Sequence, residues 1–243
     1  MAPGITGPRA AIAPARGAWF LWCGWVLCAG GTLAPAAPAP DAREVLKIVR
    51  GAQSAQSREL TGRLRSAGRA IPFKLSIVPG TIQWEFSNAP TLLLRLGEKE
   101  SRLEEIGKSG GRKVTPARFD EKVSGSDITY EDLSLQFLYW PDATIEGEQT
   151  MVLQKCWIVR VEPPSKGVSQ YSRVKLWIAK ENGALMQAEA FDHNGRFARR
   201  FKVVSGQRTD EGLWVLKSMR IETPSSRPGS ALTQSYLEID PVR

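Results

Sequence analysis

The stretch from Tyr171 to Ile221 constrains this chain more than any other. Arg173 to Ala179 alternates, with Val174, Leu176 and Ile178 on one side and Arg173 and Lys175 on the other, the period-two pattern of a half-buried strand. Lys180-Glu181-Asn182-Gly183 follows as a turn, since Asn-Gly accepts the positive φ that a tight hairpin needs. Leu185 to Phe191 is the return strand, and Asp192 to Arg196 is a second Asn-Gly turn. Phe197 to Val204 alternates again, with Phe197, Phe201 and Val203 opposite Arg200 and Lys202. Thr209 to Gly212 turns a third time, and Leu213 to Ile221 completes an antiparallel meander.

With 243 residues, the chain is long enough for one domain with a sizeable core. Its formal net charge of +8 leaves nucleic acid, an anionic membrane surface or an acidic partner as possibilities. The N-terminus decides among them. Arg9 and Arg16 form a basic segment without acids, Ala18 to Ala29 is apolar but short for a membrane span, and Ala34-Pro35-Ala36 fits a small-residue cleavage site. The expectation is a signal peptide over residues 1–36, cut after Ala36, and a single domain over 37–243; an uncleaved anchor is the alternative. Export makes nucleic acid a poor partner. Cys23 and Cys28 fall in the signal, so Cys156 is the one cysteine of the mature chain and no internal disulfide is available to it. Between Lys155 and Trp157, Cys156 reads as a small buried hydrophobe.

Asp41 to Ser57 reads as a helix capped by Asp41, with Val45, Leu46, Ile48 and Val49 clustered on one face. Glu59 to Arg65 is a weak strand. Phe73 to Ile77 and Ile82 to Phe86 are strands joined by a turn at Val78 to Thr81, and Thr91 to Leu96 is a third. Glu98 to Lys122 reads as a short strand plus loop, with Arg112, Lys113 and Arg118 as solvated surface or a docking patch. Ser126 or Asp127 can cap a helix in which Tyr130, Leu133, Phe137 and Leu138 share a face, stopped by Pro141; Asp127, Glu131 and Asp132 are explained as capping acids. Gln149 to Val161 reads as one long strand, and Ala231 to Ile239 as the last.

Two runs carry a resemblance. Pro79, Gly80, Gln83, Trp84, Phe86 and Pro90 stand in the order strand, Pro-Gly turn, aromatic-centred strand, proline turn, strand; Gly125 to Leu133 follows as Gly-Ser-Asp and then Tyr-Glu-Asp-Leu. Together with the meander, they make the chain resemble the LolA-like outer-membrane lipoprotein-sorting proteins. It departs from them at Val78, where such proteins often carry a basic residue. The resemblance implies a mainly β (α+β) fold, a curved antiparallel sheet forming a half-open β-barrel with a helical lid. It also implies a periplasmic carrier, a monomer binding lipid or lipoprotein acyl chains, served by an inner-membrane donor complex and an outer-membrane acceptor.

The residues themselves offer little chemistry. His193, the one histidine, sits in a turn, and the sequence has no His/Cys ligand cluster, Gly-x-Ser-x-Gly elbow or phosphate-binding loop. The expectation is a non-enzyme without cofactor or metal. A curved sheet with two short helices as cover should leave a hollow that its own side chains do not fill, and apolar burial at about 25 cal/mol per Å² favours a ligand there. The candidate lining is Leu75, Ile77, Trp84, Phe86, Trp157, Leu176 and Ile178 from the sheet and Tyr130, Leu133 and Phe137 from the helix; ordinary core is the competing assignment for each. Trp177 and Trp214 lie off the chosen stripes. An envelope sensor or scaffold binding a partner protein is the alternative function, and a hydrolase a weaker one.

Overall fold

The computed structural model describes residues 40–242 except 55–56, 88, 109, 211, 213, 226–228 and 230. The expected signal segment and its cleavage point lie outside them. The described chain opens with helix α1 (Ala42–Ser54), where Asp41 accepts a hydrogen bond from the Arg43 amide at 3.0 Å. Val45, Leu46 and Val49 of α1 are buried, while Ile48, expected on the same face, is 58 % exposed.

Thirteen antiparallel strands then build one unclosed, curved sheet. They are β1 (Arg58–Ser66), β2 (Arg69–Val78), β3 (Thr81–Phe86), β4 (Thr91–Leu96), β5 (Ser101–Gly107), β6 (Gly110–Lys113), β7 (Asp142–Met151), β8 (Gln154–Glu162), β9 (Arg173–Ala179), β10 (Leu185–Phe191), β11 (Phe197–Arg208), β12 (Trp214–Thr223) and β13 (Thr233–Ile239). The spatial order is β6-β5-β4-β3-β2-β1-β13-β12-β11-β10-β9-β8-β7. The chain thus lays down one half, crosses to the far edge through the lid segment between β6 and β7, returns from there, and inserts β13 between β12 and β1. This is the expected half-open barrel with a helical lid.

The meander falls where its alternation and turns place it. Gly183 and Gly195 adopt φ of 70° and 75° in its first two turns. The weak strand expected over Glu59 to Arg65 is β1. Other expectations are corrected. In place of the short strand plus loop expected over Glu98 to Lys122, the chain forms the hairpin β5–β6 before it enters the lid. The long strand from Gln149 is a hairpin: Val152 and Leu153, at φ of 47° and 66°, turn the chain between β7 and β8. The capped helix is only α2 (Tyr130–Ser134), with Thr129 as its N-cap instead of Ser126 or Asp127. Leu135, at φ 52°, ends it, and a separate 3₁₀ turn covers Gln136–Tyr139. Neither Val-Leu nor Leu135 carries the turn chemistry from which a break could be read.

Candidate functional site

Register fixes which side chains share the concave face. Leu103, Leu94, Ile82 and Ile77 are successive cross-strand partners from β5 to β2. Leu92, Trp84, Leu75 and Leu60 form the next row, and Phe86, Phe73, Gly62 and Ile239 another. Ile71, Leu64, Leu237, Met219 and Val203 carry the face across the middle of the sheet. Ile221, Phe201, Ala188, Leu176, Val159 and Ile145 extend it to β7. The result is an apolar wall running from one end of the sheet to the other.

Among the aromatics, Trp84 stacks on Phe86 with centroids 6.1 Å apart and meets Phe73 edge-on at 5.5 Å. Phe73 lies over Gly62; a Cβ there would stand 2.8 Å from the ring and 2.2 Å from the Glu238 carbonyl oxygen.

The sheet candidates Leu75, Ile77, Trp84 and Phe86 lie on one half of this wall, with Tyr130 and Leu133 packed over them. Trp157, Leu176 and Ile178 lie on the other half, with Phe137 over them. The structure therefore brings the ten together in two groups, bridged by Leu135 and Phe201, each packed against both. Trp177 belongs to a separate apolar patch with Met151 and Cys156, and Trp214 is 70 % exposed.

The expected hollow is occupied by the chain itself. Leu75, Phe86, Tyr130, Leu133, Phe137, Leu176 and Ile178 are buried, and Ile77, Trp84 and Trp157 half-buried, because the segment Thr115 to Trp140 lies along the wall. A groove of about 370 Å³ does exist, but it lies at Arg58, Lys74 and Asp240 near the end of the sheet.

Besides the apolar packing of Phe119, Ile128, Leu133 and Phe137, buried polar groups hold that lid. Glu105, on the concave face of β5, accepts two hydrogen bonds from Arg118 at 2.7 and 2.9 Å and one from the Tyr130 hydroxyl at 2.5 Å. Hydrogen bonding to Arg118 holds its carboxyl down to about 2, despite burial. Burial first, and then the Glu105 carboxylate, push the Tyr130 phenol up to about 12. Arg118 also chelates Glu121, so it is a lid anchor and not the solvated surface its sequence suggests. Ser101 Oγ donates to the Ser134 carbonyl at 2.6 Å, and Ser66 and Ser235 both donate to Asp127.

Two adjacent acids of α2 complete the set. Asp132 caps the helix by accepting from the Thr129 amide at 2.7 Å, as its position suggests. It also accepts from the Tyr171 hydroxyl at 2.7 Å and pairs with Arg199, which reaches in from the concave face of β11. Glu131, by contrast, is not a cap. It is 1 % exposed and accepts hydrogen bonds from Ser169 Oγ and from the Gln170 amide at 2.9 Å. Burial pushes its carboxyl up to about 7, against the pull of those two hydrogen bonds. Gln170 donates further to the Phe119 carbonyl and to Thr129 Oγ1, so the β8–β9 loop is a strap across the lid. Sequence reasoning passed over Arg199, Glu105 and Ser101. Their signal was a polar residue on the inward parity of an otherwise apolar strand.

Solved structures share this architecture, three of them as follows. One is a DUF1329 family protein from Desulfovibrio piger, with a TM-score of 0.60 at 16 % identity, covering 83 % of this chain and 92 % of that one. A putative outer membrane lipoprotein-sorting protein domain from Vibrio parahaemolyticus aligns with a TM-score of 0.62 at 15 % identity, covering 84 % and 93 %. A LolA superfamily protein from Nitrosomonas europaea gives 0.59 at 13 %, covering 84 % and 94 %. No curated protein matches the chain. A family model described as "Uncharacterized protein" matches residues 111–241, the span from β6 through the lid to the end of β13. The chain belongs to that family, and its fold is that of the LolA-like lipoprotein-sorting proteins.

Proposed function

We propose that this protein is an acyl-chain carrier of the bacterial periplasm, which takes lipids or lipid-modified proteins from an inner-membrane donor towards an outer-membrane acceptor. The observation that carries the reading is the apolar wall, continuous from β5 to β7 and roofed by a separate segment that buried polar groups tie down in addition to its apolar packing. An acyl chain gains about 0.8 kcal/mol per buried CH₂, so a chain of roughly sixteen carbons can replace the contacts that Tyr130, Leu133 and Phe137 give up. Polar tethers suit a roof that must come away and return, because water can satisfy the groups when it lifts. The wall then receives the ligand, with Leu75, Trp84, Phe86, Trp157, Leu176 and Ile178 in contact with it. No step of this role calls for a catalytic group, a metal or a cofactor.

The test is titration of the protein with a fluorescent fatty acid. Saturable binding is expected. Tyr171→Phe removes the hydroxyl that donates to Asp132 and should loosen the lid, raising the competent fraction and hence the apparent affinity by about threefold or more. If these residues are simply core, the same variant loses stability and gains no binding. Near-UV circular dichroism checks that the variant remains folded.

A further inference from the structure

The carrier reading leaves one group on the wall unexplained. Arg199 is a guanidinium on the concave face of β11, two residues from Phe201 and opposite Ala190 of β10. Its side chain is only 11 % exposed. It pairs with Asp132 of the lid, and its Nε is buried without a hydrogen-bond acceptor. Its neighbour Arg200 points the other way, pairing with Glu189 and Glu222. A charge on the apolar wall is thus compensated by a carboxylate that belongs to the part of the molecule that must move.

Displacing the lid withdraws Asp132 together with α2. Arg199 then stands on an apolar surface with no carboxylate from the sheet to replace it among the described residues, since Asp127, the other acid acting on it, is also part of the lid. A half-buried guanidinium without an anion is strongly unfavourable. A ligand bearing an oxyanion at the end of its chain removes that penalty, and can also fill the empty Nε position through a paired contact with the fork of the guanidinium. A neutral chain of the same length does neither.

Resting on the carrier reading, we propose that Arg199 sets the ligand class. The cargo is an acyl chain ending in an anionic group, a carboxylate or a phosphate, and that group takes the place of the Asp132 carboxylate when the lid lifts. The anion therefore sits at the β11 side of the wall, under the position α2 vacates, and the chain runs from it along the apolar rows.

The experiment displaces the fluorescent probe with matched pairs at slightly alkaline pH. The first pair is palmitic acid against cetyl alcohol, and the second a lysophosphatidic acid against the monoacylglycerol of the same chain. Wild-type protein should prefer the anionic member by about tenfold or more, and Arg199→Met should bring that ratio close to one. Preference confined to the first pair identifies a carboxylate; preference confined to the second identifies a phosphate. Asp132→Asn, which frees Arg199 beforehand, should raise affinity for the anionic member more than for its neutral partner. Equal affinity for both members in wild type, or an unchanged ratio in Arg199→Met, overturns the assignment of Arg199 and leaves the carrier reading standing. Failure of every ligand to bind overturns the carrier reading itself.

Discussion

Gly62 is where a side chain of any kind is excluded. Its missing Cβ lets Phe73 lie on the strand, and an added methyl would meet a backbone oxygen at 2.2 Å, which cannot move as a flexible side chain would. Gly62→Ala is expected to destabilise by about 1–3 kcal/mol, measured by urea denaturation. Glu131 sets a different demand at the same scale. Burial lifts its folded-state pKa from 4.5 to about 7, so between those values the folded protein holds a proton that the unfolded chain has lost. The stability it contributes is complete below pH 4.5 and is lost as the pH rises through about 7. Glu131→Gln should therefore flatten the fall in stability over that window, by on the order of 3 kcal/mol, read from melts at a series of pH values. Glu105 has the opposite sign: its depressed carboxyl contributes above pH 4.5, and that contribution is lost as the pH falls towards about 2. Sequence position alone explained Asp132, because its capping partner lies three residues away in Thr129. It could not separate Glu131 from Asp132, because the partners of Glu131, Ser169 and Gln170, lie in a distant loop.

At the scale of elements, the strands that were legible are those whose turns are made by residues suited to turning. Asn182-Gly183 and Asn194-Gly195 announce their hairpins, and β9, β10 and β11 begin where alternation says they do. The β7–β8 turn is made instead by Val152 and Leu153, both left-handed, with Leu153 95 % exposed. Left-handed backbone costs an ordinary residue roughly 1–2 kcal/mol, and a β-branched side chain suits it least. Replacing the pair by Asn-Gly is expected to stabilise the protein by about 1–3 kcal/mol, seen as a higher melting temperature with unchanged far-ultraviolet dichroism. The lid was half legible for the same reason. Tyr130, Leu133, Phe137 and Leu138 do face the wall, but the left-handed Leu135 divides them between α2 and a 3₁₀ turn. Parity placed every sheet candidate on the one face that the lid packs against. What it could not give was the roof, because an apolar stripe reads alike whether a ligand or the chain's own lid covers it.

The described strands form one hydrogen-bonded sheet, and its two larger apolar clusters share Leu135 and Phe201. One sheet and these two bridging residues join the halves, so unfolding should be a single transition. Trp84 reports on one cluster and Trp157 on the other; in variants retaining one of these tryptophans as the reporter, the urea midpoints should coincide. The charge pair between lid and sheet acts at this scale as well. Arg199→Met leaves Asp132 buried without its cation and is expected to cost about 3–5 kcal/mol, shifting both reporters together.

The strand order has a consequence for how the molecule is made. β13 lies between β12 and β1, so the segment synthesised after all the other strands is the one that joins the two halves of the sheet. Until it emerges, β1 and β12 each present an open row of amides and carbonyls, and the nascent chain has no complete architecture to settle into. Completion of the sheet therefore waits for its closing strand.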